Sequence, residues 1–129
     1  MRAGTDVSVI SYGRSVHEAL AAAATLAEQG VSAEVVDLRT LIPFDTEAIA
    51  ASVKAANRVI VVTEESDLTG FGRYIHSWIV QHCFYDLDCT PAFIAAVAAP
   101  AAPYNAAEET AFFPTAKTIE ARIDELLAE

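Results

Sequence analysis

Four apolar runs, each followed by a segment with helical periodicity, divide the sequence into strand and helix units. The runs cover residues 7–12, 33–38, 59–62 and 92–97. The third run contains only Val and Ile, and unbroken β-branched hydrophobicity is typical of a strand that is buried on both faces. The alternation therefore predicts an α/β fold of three layers, in which a mainly parallel four-stranded sheet lies between helices.

The helical segments carry recognisable end signals. Ser15, with Glu18 three residues later, fits a capping box, in which each side chain accepts a hydrogen bond from the other residue's backbone N–H. Gly30 stands where a left-handed C-terminal cap is expected, because it has no Cβ. Asp45 is placed to cap the second helix. The helices are predicted at residues 16–29, from 45 onward, at 70–84 and at 116–127.

Two connections between these units are unusually apolar. The turn at residues 39–44 contains an arginine, two aliphatic residues and a proline, which predicts an ordered connection. A loop of about 17 residues follows the fourth strand, and loops of that length are usually functional or packed against something. Tyr104 and the Phe pair at 112–113 make this loop apolar. We therefore expect it to pack across this domain or onto a partner.

Composition limits the class of protein. A chain of 129 residues with 53% hydrophobic content fits one domain, 1–129, with a core that needs no metal or disulfide. Its net charge of −10 repels nucleic acid and anionic membranes. Because it has no long apolar stretch and no signal segment, we expect a soluble, cytoplasmic protein. Cys83 and Cys89 are too few for a disulfide framework and fit no common zinc spacing.

The sequence lacks the motifs of the usual cofactor and catalytic sites. The nearest candidate is the Gly-Phe-Gly segment at 70–72, which opens a helix, where free N–H groups attract anions. Glu64, Glu65 and Asp67 precede it and would repel a free phosphate. The alternative is that the glycines let the helix start close to the sheet or to another subunit. A catalytic acid and base pair at 64–65 is a further alternative, but no nucleophile accompanies it.

The three histidines have different expected environments. His17 faces away from the apolar stripe of its helix and is predicted to be solvated. His82 falls on the apolar stripe of the third helix, at the edge of the core or at an interface. A metal site formed by His82 with Cys83 and Cys89 lacks a fourth ligand. His76 stands off the main apolar row, which makes it the best placed histidine for a polar contact with a partner.

The segment 37–45, Asp-Leu-Arg-Thr-Leu-Ile-Pro-Phe-Asp, resembles part of the beta subunit of thiamine-diphosphate-dependent 2-oxo acid dehydrogenases of the pyruvate and branched-chain types. Other motifs are similar to that subunit in the same order. The likeness covers essentially the whole chain and identifies it as similar to the subunit's C-terminal domain, the transketolase C-terminal-like domain. The further motifs are residues 4–13, Glu-Glu at 64–65, Thr-Gly-Phe-Gly at 69–72 and Phe-Pro at 113–114.

The resemblance implies an assembly domain of an oxidoreductase whose parent enzyme decarboxylates a 2-oxo acid and acylates lipoyl groups. In such enzymes the alpha subunit holds thiamine diphosphate and Mg, and the activating glutamate lies in the N-terminal half of the beta subunit. No cofactor or catalytic residue is therefore expected in this chain. The alternative is a stand-alone small-molecule binding or regulatory module, with its ligand near residues 11–13 and 64–65.

The implied partners are the alpha subunit, a second beta subunit and the basic subunit-binding domain of the acyltransferase core. The resemblance also implies the strand order 2-1-3-4 with the family's antiparallel edge strand truncated, which leaves residues 33–38 at an open edge. Open edges invite association, so if the isolated domain forms a homodimer, this edge and the faces that meet other subunits are the expected contacts. The candidate interface residues are Arg39, Glu64, Glu65, Gly70, Phe71, Gly72, His76, Tyr104, Asp124, Glu125 and Glu129.

The last three candidates lie near the end of the chain. Their carboxylates are placed to meet a basic partner, and the excess acidity of the chain favours electrostatic steering. The alternative is a solvated charged face on an amphipathic helix. Departures from the family pattern at residues 66–69 and 100–105 leave the choice among acyl substrates open.

Overall fold

The computed structural model describes residues 2–129, which form a parallel sheet of four strands in the order β2-β1-β3-β4, with helices on both faces. The predicted α/β class and strand order are confirmed. None of the helices in this part of the chain has the length and apolar content that a membrane span requires. The elements are β1 (Val7–Ser11), α1 (Ser15–Glu28), β2 (Ala33–Asp37), α2 (Thr46–Ala56), β3 (Val59–Ser66), α3 (Phe71–His82), β4 (Ala92–Ala96), α4 (Ala106–Phe112) and α5 (Ala116–Ala128), with a 3-10 turn at Phe84–Asp86.

Successive side chains of each strand point to opposite faces of the sheet, so the core has two halves. On one face, Val9 packs with apolar residues of α1 and α5. On the other face, Ile10 packs with apolar residues of α2 and α3. Both side chains are fully buried, and burial of such apolar area is the main stabilising contribution to the fold. Because all four strands are parallel, their carboxyl ends meet at one edge of the sheet.

The third strand is longer than its sequence pattern predicts. Its first four residues are fully buried between two neighbouring strands, as expected for a central strand. The strand then continues to Ser66, so Glu64 and Glu65 belong to β3, although the apolar run of the sequence ends at residue 62. Val62 pairs with Ile94 and Ser66 pairs with Ala96, so residues 63–65 oppose the single residue 95. Such a bulge bends the strand and redirects its side chains.

The ends of the first two helices bear out two of the predicted signals. The Asp45 carboxylate accepts a hydrogen bond from the Ala48 N–H at 2.9 Å and caps α2. Gly30 has a φ of 88°, the left-handed conformation that is expected after a helix.

The capping box predicted at the start of α1 is wrong. The helix begins at Ser15 itself, and its N-cap is Arg14, which makes no side-chain cap. The Glu18 carboxylate instead accepts a hydrogen bond from the backbone N–H of Ala116 at 2.9 Å. It therefore satisfies the first turn of α5, and it ties the two helices of that layer together.

The outer edge of β2 is partly covered by the N-terminal arm, residues 2–6. Arg2 forms an antiparallel bridge with Val35, whose N–H donates to the Arg2 carbonyl at 2.9 Å. Two further N–H groups of the arm donate to the Ser32 carbonyl at 3.0 and 2.9 Å. The expectation of an open edge along 33–38 is therefore wrong for the first part of the strand, up to Val35. There the arm forms hydrogen bonds with the outward backbone groups.

The connection after β4 is not a plain loop, because it contains α4. The Asn105 side chain caps this helix by accepting a hydrogen bond from the Glu108 N–H at 2.9 Å. The Val97 N–H donates to the Phe112 carbonyl at 3.1 Å, which closes the segment at its base. The segment therefore packs against the domain at this end, while Tyr104 is 99% exposed.

Candidate functional site

The carboxyl ends of β1 and β3 share a hydrogen-bonded network beside the start of α3. The Tyr12 hydroxyl donates to Oε2 of Glu65 at 2.5 Å, and the Thr63 hydroxyl donates to the Tyr12 oxygen at 3.2 Å. The Gly72 N–H donates to the same Glu65 oxygen at 3.4 Å. A carboxylate is stabilised at a helix N-terminus by the free N–H groups and by the helix dipole. The anion position of α3 is therefore taken by a side chain of this chain.

The two glycines at the start of α3 permit a close approach to β3. A Cβ at Gly70 would lie 2.6 Å from the Cβ of Glu65. A Cβ at Gly72 would lie 2.5 Å from Cγ2 of Thr63 and 3.0 Å from the Phe93 ring. The interpretation that the glycines let the helix start tight against the sheet is confirmed, because neither position has room for a larger residue.

Burial raises the pKa of Tyr12 above its ordinary value of 10.0, and the hydrogen bond to Glu65 raises it further. The phenol is therefore neutral in the physiological range and acts as a donor. Glu64 directly precedes Glu65 in β3, and its carboxylate lies beside Gly13, which follows β1. There its Oε1 would lie 3.2 Å from a Cβ at Gly13. The two neighbouring carboxylates do not converge, so the geometry does not support an acid and base pair.

Apolar side chains from the 39–45 turn and from α3 form an exposed surface. Phe44 lies at its centre, with its ring centroid 5.8–5.9 Å from those of three α3 rings, each edge to face. Ile42 is 89% exposed and Tyr74 is 56% exposed. A groove of about 500 Å³ lies between the turn and the helix. We call this surface the aromatic face and define it as Ile42, Phe44, Phe71, Tyr74, Trp78 and His82.

An exposed apolar surface rimmed by polar residues is typical of an interaction site. Arg39 stands in the same turn, exposed, and its Nε lies 3.2 Å from Oδ2 of Asp37. His82 is exposed and stacks on Trp78 with ring centroids 4.6 Å apart. The structure thus brings two predicted residues, Phe71 and His82, to the aromatic face, while Arg39 stands in the turn that supplies Phe44.

The other predicted residues lie elsewhere. His76 Nε2 is 2.9 Å from the Pro91 carbonyl oxygen, so its polar contact is made within this chain. His17 is exposed, as predicted. At the end of α5, Arg122 pairs with Glu125 at 2.9 Å and with Glu129 at 3.7 Å, while Asp124 is exposed. The interface roles of His76, Tyr104 and these carboxylates stay predictions.

The sequence pattern did not reveal a buried polar chain under α2. Ser8 of β1 and Ser52 of α2 are both buried, with their hydroxyl oxygens 2.5 Å apart. The Ser52 hydroxyl also contacts the Glu34 carboxylate of β2. The sequence does contain a sign of this contact, because each serine stands among apolar residues that face the core. Among residues 2–129 no group of His, Cys, Asp and Glu is placed to hold a metal ion.

A comparison with known protein families assigns the domain to one of them. The family model described as "Transketolase, C-terminal domain" matches residues 1–119. The chain belongs to the transketolase C-terminal domain family. The match includes the whole sheet, the Tyr12 network and the aromatic face.

Curated proteins similar to this transketolase C-terminal domain are beta subunits. The chain is 39% identical over 125 residues to 2-oxoisovalerate dehydrogenase subunit beta of Bacillus subtilis, covering 97% of the chain and 38% of that protein. It is 38% identical over 121 residues to acetoin:2,6-dichlorophenolindophenol oxidoreductase subunit beta of Cupriavidus necator, covering 94% and 36%. It is 42% identical over 109 residues to pyruvate dehydrogenase E1 component subunit beta of Bacillus subtilis, covering 83% and 33%. The chain therefore spans only 33–38% of the length of these relatives.

A solved structure of similar fold is a split gene transketolase described as an inactive beta4 tetramer. It matches this transketolase C-terminal domain with a TM-score of 0.83, covering 98% of this chain and 41% of that chain. The sequence identity is 23%, so the likeness supports the fold assignment alone.

Proposed function

We propose that the chain serves as the C-terminal assembly domain of the beta subunit of a thiamine-diphosphate-dependent 2-oxo acid dehydrogenase. The observation that carries this proposal is the match of 97% of the chain, at 39% identity, to a little over a third of a 2-oxoisovalerate dehydrogenase beta subunit. In this role the parent oxidoreductase decarboxylates a 2-oxo acid and passes the acyl group to a lipoyl group. We also propose a cytoplasmic location.

Thiamine diphosphate and Mg are held elsewhere in the parent enzyme in this proposal. A diphosphate needs free N–H donors, and at the start of α3 the Gly72 N–H is already engaged by Glu65. Asp67, which also precedes α3, forms an ion pair with Arg73, so these two charges offset each other and leave no free cation for an anion. The residues at the start of α3 therefore do not fit the diphosphate of the coenzyme. The hydrogen bonds of Tyr12 and Glu65 to groups of this chain likewise argue against the alternative of a small-molecule module with its ligand near residues 11–13 and 64–65.

The aromatic face is the surface that we propose to pack against another subunit, the alpha subunit or a second beta subunit. Its six side chains lie on one side of the domain, and Ile42 and Tyr74 keep most of their area in solvent. Interface cores are enriched in aromatic residues and depleted of charge. For the acidic end of α5 we propose contact with the basic subunit-binding domain of the acyltransferase core, through Asp124 in particular, because it makes no ion pair within the described residues.

Substrate choice lies outside this domain in our proposal. Relatives named for 2-oxoisovalerate, acetoin and pyruvate match the chain at 38–42% identity, which is too narrow a range to favour one substrate. An assembly domain shared by enzymes of different specificity would show such a pattern.

A domain exchange tests the assembly role. The chain replaces the matching region of the Bacillus subtilis 2-oxoisovalerate dehydrogenase beta subunit, and the chimera is co-expressed with the corresponding alpha subunit. We expect the chimera to co-purify with the alpha subunit and to oxidise 2-oxoisovalerate. The control is a beta subunit that lacks this region. If the chimera folds but behaves like the truncated control, the proposal is wrong.

A calorimetric titration tests the assignment of the coenzyme to other parts of the enzyme. Thiamine diphosphate with Mg is added to the 129-residue chain, and we expect no binding heat. The chimera in complex with the alpha subunit provides the positive control. Saturable binding to the chain alone would contradict the proposal.

A further inference from the structure

The outer edge of β4 carries unpaired backbone groups that no other part of the described chain covers. β4 is the last strand of the sheet, so only one of its sides is paired with β3. The Asp67 N–H donates to the Ala96 carbonyl at 3.2 Å, so the backbone of Ala96 faces β3. Because backbone groups alternate in direction along a strand, those of residues 93 and 95 face outward.

The free part of this edge is short and sharply bounded. At the N-terminal end of the free stretch, the Pro91 carbonyl oxygen lies within hydrogen-bond distance of the His76 ring nitrogen Nε2, at 2.9 Å. At the C-terminal end, the Val97 N–H donates a hydrogen bond to the Phe112 carbonyl at 3.1 Å. Between these two blocked positions lie Phe93 and Ala95, whose outward groups have no partner in the described residues. Natural proteins usually block or cover such edges, so a window left open between two blocked positions indicates a binding edge.

A groove of about 440 Å³ runs along the window and is lined by residues 93–98 together with Asp67 and Arg73. Arg73 lies over the Phe93 ring, 4.1 Å from its centroid, and forms an ion pair with Asp67. The guanidinium is therefore already neutralised within the chain. A second hollow of about 450 Å³ begins at Val97 and continues the groove over apolar residues, with one carboxylate, Glu108, on its wall.

We propose that the β4 edge binds an extended, positively charged segment of another polypeptide, which pairs with Phe93 and Ala95 and continues into the hollow beside Glu108. The outward backbone groups supply main-chain hydrogen bonds, the common basis of strand addition. Charge complementarity selects the occupant, because the chain carries a net charge of −10 and Glu108 is the ionisable residue on the second hollow. The same net charge disfavours a second copy of this chain at the edge.

Amide exchange with defined peptides tests the proposal. The probes are an acetylated and amidated hexapeptide of alternating Lys and Val, and its counterpart of alternating Glu and Val. In the ¹⁵N-labelled chain we expect the Phe93 and Ala95 amides to exchange freely. Saturating Lys-Val peptide should slow both by roughly tenfold or more, whereas the Glu-Val peptide should leave them unchanged.

Two variants separate the parts of the proposed surface. Ala95→Pro removes an outward N–H that the ladder with β3 does not use, and it should abolish peptide binding. Glu108→Lys should weaken binding of the Lys-Val peptide by roughly tenfold, since it reverses the charge of the hollow. Glu28→Lys, on the exposed end of α1, makes the same charge change away from this edge and should leave binding unchanged. If Ala95→Pro does not fold, Glu108→Lys and its control still decide the outcome.

Three results would overturn the proposal. The first is that neither peptide protects the two amides. The second is equal protection by both peptides, which would show that charge is not recognised. The third is protection in the free chain together with a dimer in sedimentation velocity, which would make a second copy the occupant of the edge.

Discussion

At the residue scale, Glu65 links three elements through one carboxylate oxygen. It accepts hydrogen bonds from Tyr12 of β1 and from the first turn of α3, while its own backbone lies in β3. Hydrogen bonds to a charged group contribute more than neutral ones, about 1.5–3 kcal/mol each. We infer that this carboxylate fixes where α3 starts, and with it the position of the aromatic face.

Replacing Tyr12 by Phe tests this network through its pH dependence. The folded-state pKa of Tyr12 lies above the unfolded value near 10, so the folded state holds the phenolic proton more tightly. The stability that the neutral phenol contributes is therefore fully present below pH ~10 and is lost as the pH rises above that value. We expect Tyr12→Phe to cost about 1–3 kcal/mol at neutral pH.

The urea midpoint, measured from pH 8 to pH 11.5, checks this prediction. The Tyr12→Phe variant should lose stability less steeply above pH ~10 than the original chain. Tyr85→Phe is the matched control, because Tyr85 is 99% exposed, and it should follow the original curve. Parallel curves for the original chain and Tyr12→Phe would show that Tyr12 does not titrate as described.

The residues also show what sequence patterns could reveal and what they could not. Asp45 could be assigned as a cap because its partner, Ala48, lies three positions away. Glu18 fits the same kind of local pattern, but its partner is 98 positions away, and no spacing rule contains that distance. Glu65 is a candidate interface residue in the sequence, and the sequence gives no sign of the network within the chain in which the structure shows its carboxylate. The strands and helices could be predicted because their apolar periodicity repeats along the sequence. The network around Glu65 could not be predicted, because it forms only when distant segments pack together.

At the element scale, the packing of α3 on β3 depends on small residues. The strand–helix sequence predicts that the glycines allow close approach, and the structure gives the reason for each. A side chain at Gly72 would meet Thr63 and Phe93 together, so the helix would have to move outward.

We expect Gly72→Ala to destabilise the domain by about 1–3 kcal/mol, the usual cost of overpacking, although alanine favours helix formation. Thermal unfolding measures the change. Ser77→Ala in the same helix, at an exposed position, is the control and should stay within about 0.5 kcal/mol. A neutral or stabilising Gly72→Ala would mean that the contact between α3 and β3 can relax at no cost.

The N-terminal arm is the second element with a testable role. Gly4 lies directly against the backbone of Ala33 and Glu34, where a Cβ has no room. Gly4→Ala should therefore lift the arm from β2 and free the Val35 N–H from the Arg2 carbonyl. Amide exchange of Val35 should become roughly tenfold faster, whereas Ala3→Ser, at an exposed position, should leave it unchanged. Unchanged protection of Val35 in Gly4→Ala would contradict the role assigned to the arm.

At the scale of the whole molecule, the domain has two kinds of surface. At the carboxyl ends of β1 and β3, where α/β proteins often bind ligands, the Tyr12 and Glu65 side chains are hydrogen-bonded to each other. The aromatic face and the β4 edge are instead open and lie on the outside. This distribution favours a domain that acts through protein contacts.

The sequence patterns predicted the architecture because apolar periodicity determines it, but they could not predict that the long connection contains α4.

Sedimentation velocity of the domain-exchange complex, with and without Ile42→Ser, tests the central claim most directly. Ile42 is 89% exposed, so its replacement should leave the fold intact while removing an apolar anchor from the aromatic face. We predict that the assembled complex loses a subunit contact, either with the alpha subunit or between beta subunits, in Ile42→Ser and stays whole in Leu68→Ser, a matched control at an exposed leucine outside that face. A complex that stays whole in Ile42→Ser but loses turnover would contradict the account, because the domain would then contribute chemistry and not assembly.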